Sequence, residues 1–68
     1  LDKNHSVYES IFRDYKKVKK GTLLMCFEIG YDLENYLTDL MKRYLENYDY
    51  DFVKDLNGLT RFLFICCH

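Results

Sequence analysis

Leu23-Leu24-Met25-Cys26-Phe27-Glu28-Ile29-Gly30-Tyr31-Asp32 is the stretch whose reading decides how this chain folds. Five apolar residues run without a polar break or period-two alternation, and glycines flank the segment at Gly21 and Gly30. A run this short between two breakers predicts a strand over residues 22–29 rather than a helix. With apolar side chains at odd and even positions alike, that strand is expected to be buried on both faces, as strands of parallel sheets are.

The flanks fill in around it. Upstream, Tyr8, Ile11, Phe12, Tyr15 and Val18 recur at three- and four-residue spacing, which predicts an amphipathic helix over residues 6–18. Ser6 and Glu9 have the spacing of a capping box at its start. Lys16, Lys17, Lys19 and Lys20 crowd its end, where cations favour the helix dipole, and Gly21 supplies the stop. Downstream, Asp32 is the expected N-cap of a second helix. Its apolar face is Leu33, Tyr36, Leu37, Leu40, Met41, Tyr44 and Leu45, with Glu34, Asp39, Lys42, Arg43 and Glu46 pointing outward.

Residues 47–49 read as a short loop. A strand over 50–55 follows, with Tyr50, Phe52 and Lys54 alternating against Asp51, Val53 and Asp55. Asn57-Gly58 is a hairpin signal, because both residues tolerate positive φ. The last strand, 60–67, is apolar throughout at Phe62-Leu63-Phe64-Ile65-Cys66. The order is helix, strand, helix, β-hairpin: one small α/β domain over residues 1–68. The last strand, being the more apolar of the hairpin pair, is expected at the centre, antiparallel to both neighbours. The charged strand 50–55 is expected at an edge.

Composition narrows the function classes. The 68 residues carry a formal charge of −1, which argues against a general binder of nucleic acid. No run approaches the roughly 20 apolar residues that span a bilayer. Cys26, Cys66 and Cys67 are odd in number, two of them adjacent, which is not a disulfide framework. Each sits in an apolar run, so buried reduced thiols in a cytoplasmic protein are expected. The chain begins with Leu1 rather than Met, as a piece of a longer protein would.

Two motifs share a wider pattern. Phe27-Glu28-Ile29-Gly30-Tyr31-Asp32, followed by Lys54-Asp55-Leu56-Asn57-Gly58, resembles the C-terminal end of HemK-type protein-glutamine methyltransferases, which modify peptide-chain release factors. Tyr8 and Ile11 match a Tyr-x-x-Ile pattern of the same family, so the resemblance covers nearly the whole chain. The family's Gln after Tyr-Asp is Leu33 here, and its Gly-Arg-Asp-Arg is Gly58-Leu59-Thr60-Arg61. The resemblance implies the C-terminal part of a class I methyltransferase sheet, of Rossmann-like type. Residues 22–29 would be its fifth strand and 50–55 its sixth, with 60–67 its seventh, inserted antiparallel between them.

The resemblance also implies what this chain lacks. S-adenosylmethionine, the cofactor of the parent enzyme, sits at a Gly-rich turn where the backbone approaches closely. The glycines here are Gly21, Gly30 and Gly58, no two of them close together, and there is no proline for the family's Asn-Pro-Pro-Tyr loop. No catalytic and no cofactor-binding residue is therefore assigned. The expected partners are the missing N-terminal part of the enzyme and, through it, a release factor. Self-association through strand 22–29 is a further expectation, with no membrane partner.

Glu28, Gly30 and Tyr31 are the substrate-side candidates, because ligands of open α/β sheets gather at strand carboxyl ends. Glu28 equally suits the dipole of the following helix, and Gly30 a simple turn. Cys66-Cys67-His68 lacks the spacing of a metal site and reads as core thiols before a frayed end. His5 reads as a loop histidine. The four lysines read as a solvated helix end, and the tyrosines at 36, 44, 48 and 50 as packing residues. A methyltransferase fragment, inactive alone, is the leading expectation. Its rival is an independent α/β module that binds a protein through an exposed sheet edge.

Overall fold

The computed structural model describes residues 3–68, with side chains from Val7 onward. Helix α1 (Lys3–Val18) leads into strand β1 (Leu23–Glu28). A single 3-10 turn over Tyr31–Leu33 precedes helix α2 (Glu34–Tyr44), and strands β2 (Tyr48–Lys54) and β3 (Thr60–Cys67) follow. The strand order is β1-β3-β2, with β3 antiparallel to both neighbours. β1 and β2 therefore run parallel with the last strand between them. The expectation that the most apolar strand takes the centre holds, as does its antiparallel sense.

Both helices lie on one face. Register places Leu23 and Tyr48 beside Cys67, Met25 and Tyr50 beside Ile65, and Phe27 and Phe52 beside Leu63. Phe12 and Tyr15 of α1 and Leu37, Leu40 and Met41 of α2 close over this face with Leu45, and Leu63, Ile65 and Cys67 beneath them are essentially inaccessible. The ring of Phe27 meets those of Tyr8 and Phe12 edge-on, at centroid distances of 5.7 and 5.9 Å. The molecule measures 16 Å along its shortest axis, which leaves room for one helical layer on one sheet.

The strand over 22–29 departs from its sequence reading. Instead of burial on both faces, it alternates half-buried and exposed, and Leu24 is 75% exposed. The cause is topological: among the described residues both helices pack on the same face. Cys26 is accordingly exposed and Cys66 half-buried, and Cys67 alone of the three thiols lies in the core. Burial raises the Cys67 thiol pKa, with a smaller push from Cys66.

Element ends differ for local reasons. α1 starts at Lys3, so Ser6 and His5 fall within the helix rather than at a cap and in a loop. Their side chains lie outside the described residues. Glu9, read as part of the cap, instead accepts a 2.6 Å hydrogen bond from the Tyr44 hydroxyl, joining α1 to α2. That bond raises the Tyr44 pKa. Asp32 does not cap α2; it sits inside the 3-10 turn, and Leu33 precedes the helix with no side-chain cap. Tyr48 and Asp49 join β2 because Asn47, at φ 53°, turns the chain early and β3 is long enough to pair with them.

The hairpin turn is also of a different kind. Only Gly58 has positive φ, 82°, so the loop is not the two-residue type that needs positive φ at both positions. The Gly58 amide donates to the Asp55 carbonyl at 3.0 Å and the Asp55 amide to the Leu59 carbonyl at 2.8 Å. This is a three-residue loop closed by a left-handed glycine.

Candidate functional site

The residues singled out from sequence meet at one end of the sheet. Ile29 is buried, and its amide donates to the Arg61 carbonyl at 2.7 Å, which fixes the carboxyl end of β1 against β3. On either side of that anchor Glu28, Gly30 and Tyr31 stand in solvent, Tyr31 at 61% exposure. Gly30 is in ordinary extended backbone, φ −75° and ψ 146°, so no left-handed conformation requires a glycine there. A Cβ at this position would lie 3.0 Å from the Asp32 carboxylate, a tight approach that a small side-chain shift relieves. The Gly30 carbonyl accepts from the Leu33 amide at 3.1 Å, closing the turn.

The hairpin shares this end and is braced by a residue the sequence reading passed over. One carboxylate oxygen of Asp55 accepts from the Asn57 and Leu59 amides at 2.9 and 3.1 Å; the other accepts from Arg61 Nε at 2.9 Å. The Arg61 guanidinium and these amides hold the Asp55 carboxyl below the usual carboxylate range. An Asp two residues before an Asn-Gly is the signal of such a side-chain turn. The brace presents Leu56 fully exposed at the tip. Glu34 was expected to point outward. It turns back to the sheet and accepts from the buried Thr60 hydroxyl at 2.9 Å.

Other candidates are dispersed by the fold. Strand alternation separates Cys66 from Cys67, and His68 Nε2 lies 2.7 Å from an Asp49 carboxylate oxygen. Among the described residues no group of three His, Cys, Asp or Glu side chains is placed to hold a metal ion. Lys16 bridges to Glu46 at 3.1 Å and Lys17 to Asp14 at 3.7 Å, both in solvent. Tyr36, Tyr44 and Tyr48 pack against the core, whereas Tyr50 stands half out at the β2 edge between Tyr48 and Phe52. Gly21, Gly30 and Gly58 fall after a helix, after a strand and at a hairpin tip. No two of them share a turn.

Among the described residues, two surfaces are left without a covering element. β1 pairs with β3 on one side only. Its other edge borders an open groove of about 400 Å³ under α1, lined by Ile11, Tyr15, Val18, Leu23, Met25 and Phe27. The sheet face away from the helices is the second. It carries Leu24 at 75%, Phe64 at 44% and Phe62 at 38% exposure, with Cys26 and Cys66 among them.

No family model matches the chain, and neither a curated protein nor a solved structure matches it. Among the described residues no helix is long and apolar enough to cross a membrane.

Proposed function

We propose that this chain is the C-terminal part of an S-adenosylmethionine-dependent methyltransferase that modifies a glutamine side-chain amide of peptide-chain release factors. Its share of the work is structural: it supplies the last three strands of the catalytic sheet. The observation that carries the reading is the position of β3, antiparallel between two strands that are parallel to each other. That arrangement agrees with the inserted seventh strand which the Glu-Ile-Gly-Tyr-Asp and Lys-Asp-Leu-Asn-Gly motifs imply. The open β1 edge lies where the family's fourth strand would pair. Glu28, Gly30 and Tyr31 stand at the strand end that faces substrate in open α/β sheets.

Complementation tests it. The chain is mixed with a HemK-type segment that ends after the fourth strand, with labelled cofactor and a release factor. Methyl transfer is expected from the mixture and none from this chain alone. Tight, saturable binding of S-adenosylmethionine by this chain alone would overturn the division of labour. The reading also predicts a Gly-rich turn and an Asn-Pro-Pro-Tyr sequence encoded ahead of Leu1.

A second reading draws on the same open edge: a small independent α/β module that binds protein, including a second copy of itself, through β1. It gains if the two segments neither associate nor transfer a methyl group.

A further inference from the structure

The face of the sheet away from the helices has an apolar strip along β1 and β3, formed by Leu24, Cys26, Phe62, Phe64 and Cys66. An open trough of about 460 Å³ crosses this face, lined by Leu24 and Cys26 of β1, Phe64 and Cys66 of β3, and Asp49 and Asp51 of β2. The border on the β2 side is acidic. Asp49 stands level with Cys66 and Asp51 with Phe64, both exposed, and Glu28 stands level with Phe62 at one corner. The cations of the sheet are elsewhere. Lys54 is level with the buried Thr60, and Arg61 is held by Asp55 in the hairpin. Among the described residues His68 approaches, at Asp49.

We propose that this face seats an amphipathic α-helix supplied by another polypeptide segment, with an apolar stripe bordered on one side by lysine or arginine. Length and charge both point to a helix of that chemistry. The eight residues of β3 extend roughly 26 Å, which a helix of about 17 residues matches. Asp49 and Asp51 are two residues apart on one strand face, about 7 Å. Helix residues four apart rise about 6 Å, so two cations at that spacing meet the two carboxylates. A second copy of the sheet face is disfavoured, because among the described residues that face carries no lysine or arginine to meet Asp49 and Asp51. The inference stands on the face itself and does not depend on the methyltransferase reading.

Two synthetic peptides of about 17 residues test it. They share one leucine stripe; one carries lysines four apart along a flank, the other glutamates there. Fluorescence anisotropy at low salt is expected to show saturable binding of the lysine peptide, with the glutamate peptide weaker by about fivefold or more. Asp49→Lys with Asp51→Lys should reverse that order. Phe64→Asp should weaken the lysine peptide by roughly tenfold. If circular dichroism shows that variant unfolded, Leu24→Asp on the same face takes its place. Absence of saturable binding, equal affinities, no reversal on charge swap, or indifference to the apolar substitution each overturns the proposal. Sedimentation of the chain without peptide adds one more outcome: self-association abolished by Leu24→Asp would assign the face to a second copy instead.

Discussion

Within β1 and β3 the two faces of the sheet are built from nearly the same residue types and meet opposite fates. Along β3 the sequence Phe62-Leu63-Phe64-Ile65-Cys66-Cys67 is apolar at every position. Leu63, Ile65 and Cys67 are at most 1% exposed beneath the helices, while Phe62 and Phe64 are 38% and 44% exposed on the other side. β1 repeats the contrast, with Met25 and Phe27 half-buried and Leu24 and Cys26 in solvent. The composition of β1 and β3 suits two covered faces, and among the described residues both helices lie on one. What separates core from surface here is the supply of covering elements, not the chemistry of the strands.

The largest test of that contrast compares neighbours in β3. Leu63→Ala removes a fully buried side chain from the core cluster and should cost about 2–5 kcal/mol. That is comparable with the whole stability of a domain this small, so a largely unfolded protein is expected. Phe64→Ser, one residue on, should change stability by no more than about 0.5 kcal/mol. Urea titrations followed by circular dichroism measure both. Equal costs would mean that the bare face is covered in solution.

The sheet's two edges offer the next comparison. β2 carries Asp49, Asp51 and Lys54, charges that discourage pairing with another strand. β1 presents Leu23 to Phe27 with no charge, beside the groove under α1. Self-association through β1 is therefore expected, and Met25→Lys should weaken it about tenfold or more. Sedimentation over a range of concentrations decides this. A concentration-independent monomer at high protein concentration would show that the chain protects its own edge.

How much of this was legible in the sequence follows the same division. The amphipathic face of α2 and the central place of β3 were readable because local periodicity and apolarity decide them. Tyr36, Leu37, Leu40, Met41, Tyr44 and Leu45 all turn inward as spaced. The exposure of Leu24 and Cys26 was not readable, because it depends on which face of the sheet the two helices cover. Ile11 and Val18 fit the apolar face of α1, yet they overhang the open groove at 37% and 67% exposure. At the candidate site, the placement of Glu28, Gly30 and Tyr31 at one strand end was legible. The Asp55 turn had a local signal, an Asp two residues before Asn57-Gly58, that the reading of the strand ends left unused; the Glu34–Thr60 bond had none, since only the folded sheet brings those two residues together.

A smaller effect is expected where a polar group is tied to the covered face. The Thr60 hydroxyl, in a residue 5% exposed, donates to Glu34 at 2.9 Å and links the start of β3 to the first turn of α2. Thr60→Val keeps the shape and removes the donor, so a loss of about 1 kcal/mol is expected in the same urea titration. A loss near zero would mean that water replaces the hydroxyl freely and that the link contributes nothing to seating α2.

The mildest test falls on the hairpin, where a half-buried carboxylate rather than a core holds the chain. Arg61 first, and the Leu59 and Asn57 amides with it, lower the pKa of Asp55 in the folded state, against a smaller opposing effect of desolvation. The unfolded chain keeps the ordinary value, so folding favours the ionised form. Its contribution is fully present above the ordinary carboxylate range and is lost as pH falls through that range to the lowered folded value. Hydrogen exchange at the Leu59 and Asn57 amides, both donors to Asp55, should therefore show weaker protection on acidification, after correction for the intrinsic exchange rate. Asp55→Asn keeps an oxygen for the two amides and removes the charge paired with Arg61. Protection in that variant should be lower than wild type at neutral pH and should no longer change through the carboxylate range. Unchanged protection in Asp55→Asn would show that the turn is held by the positive φ of Gly58 and the backbone bonds alone, and that the hairpin needs its side-chain brace no more than the bare face needs its phenylalanines.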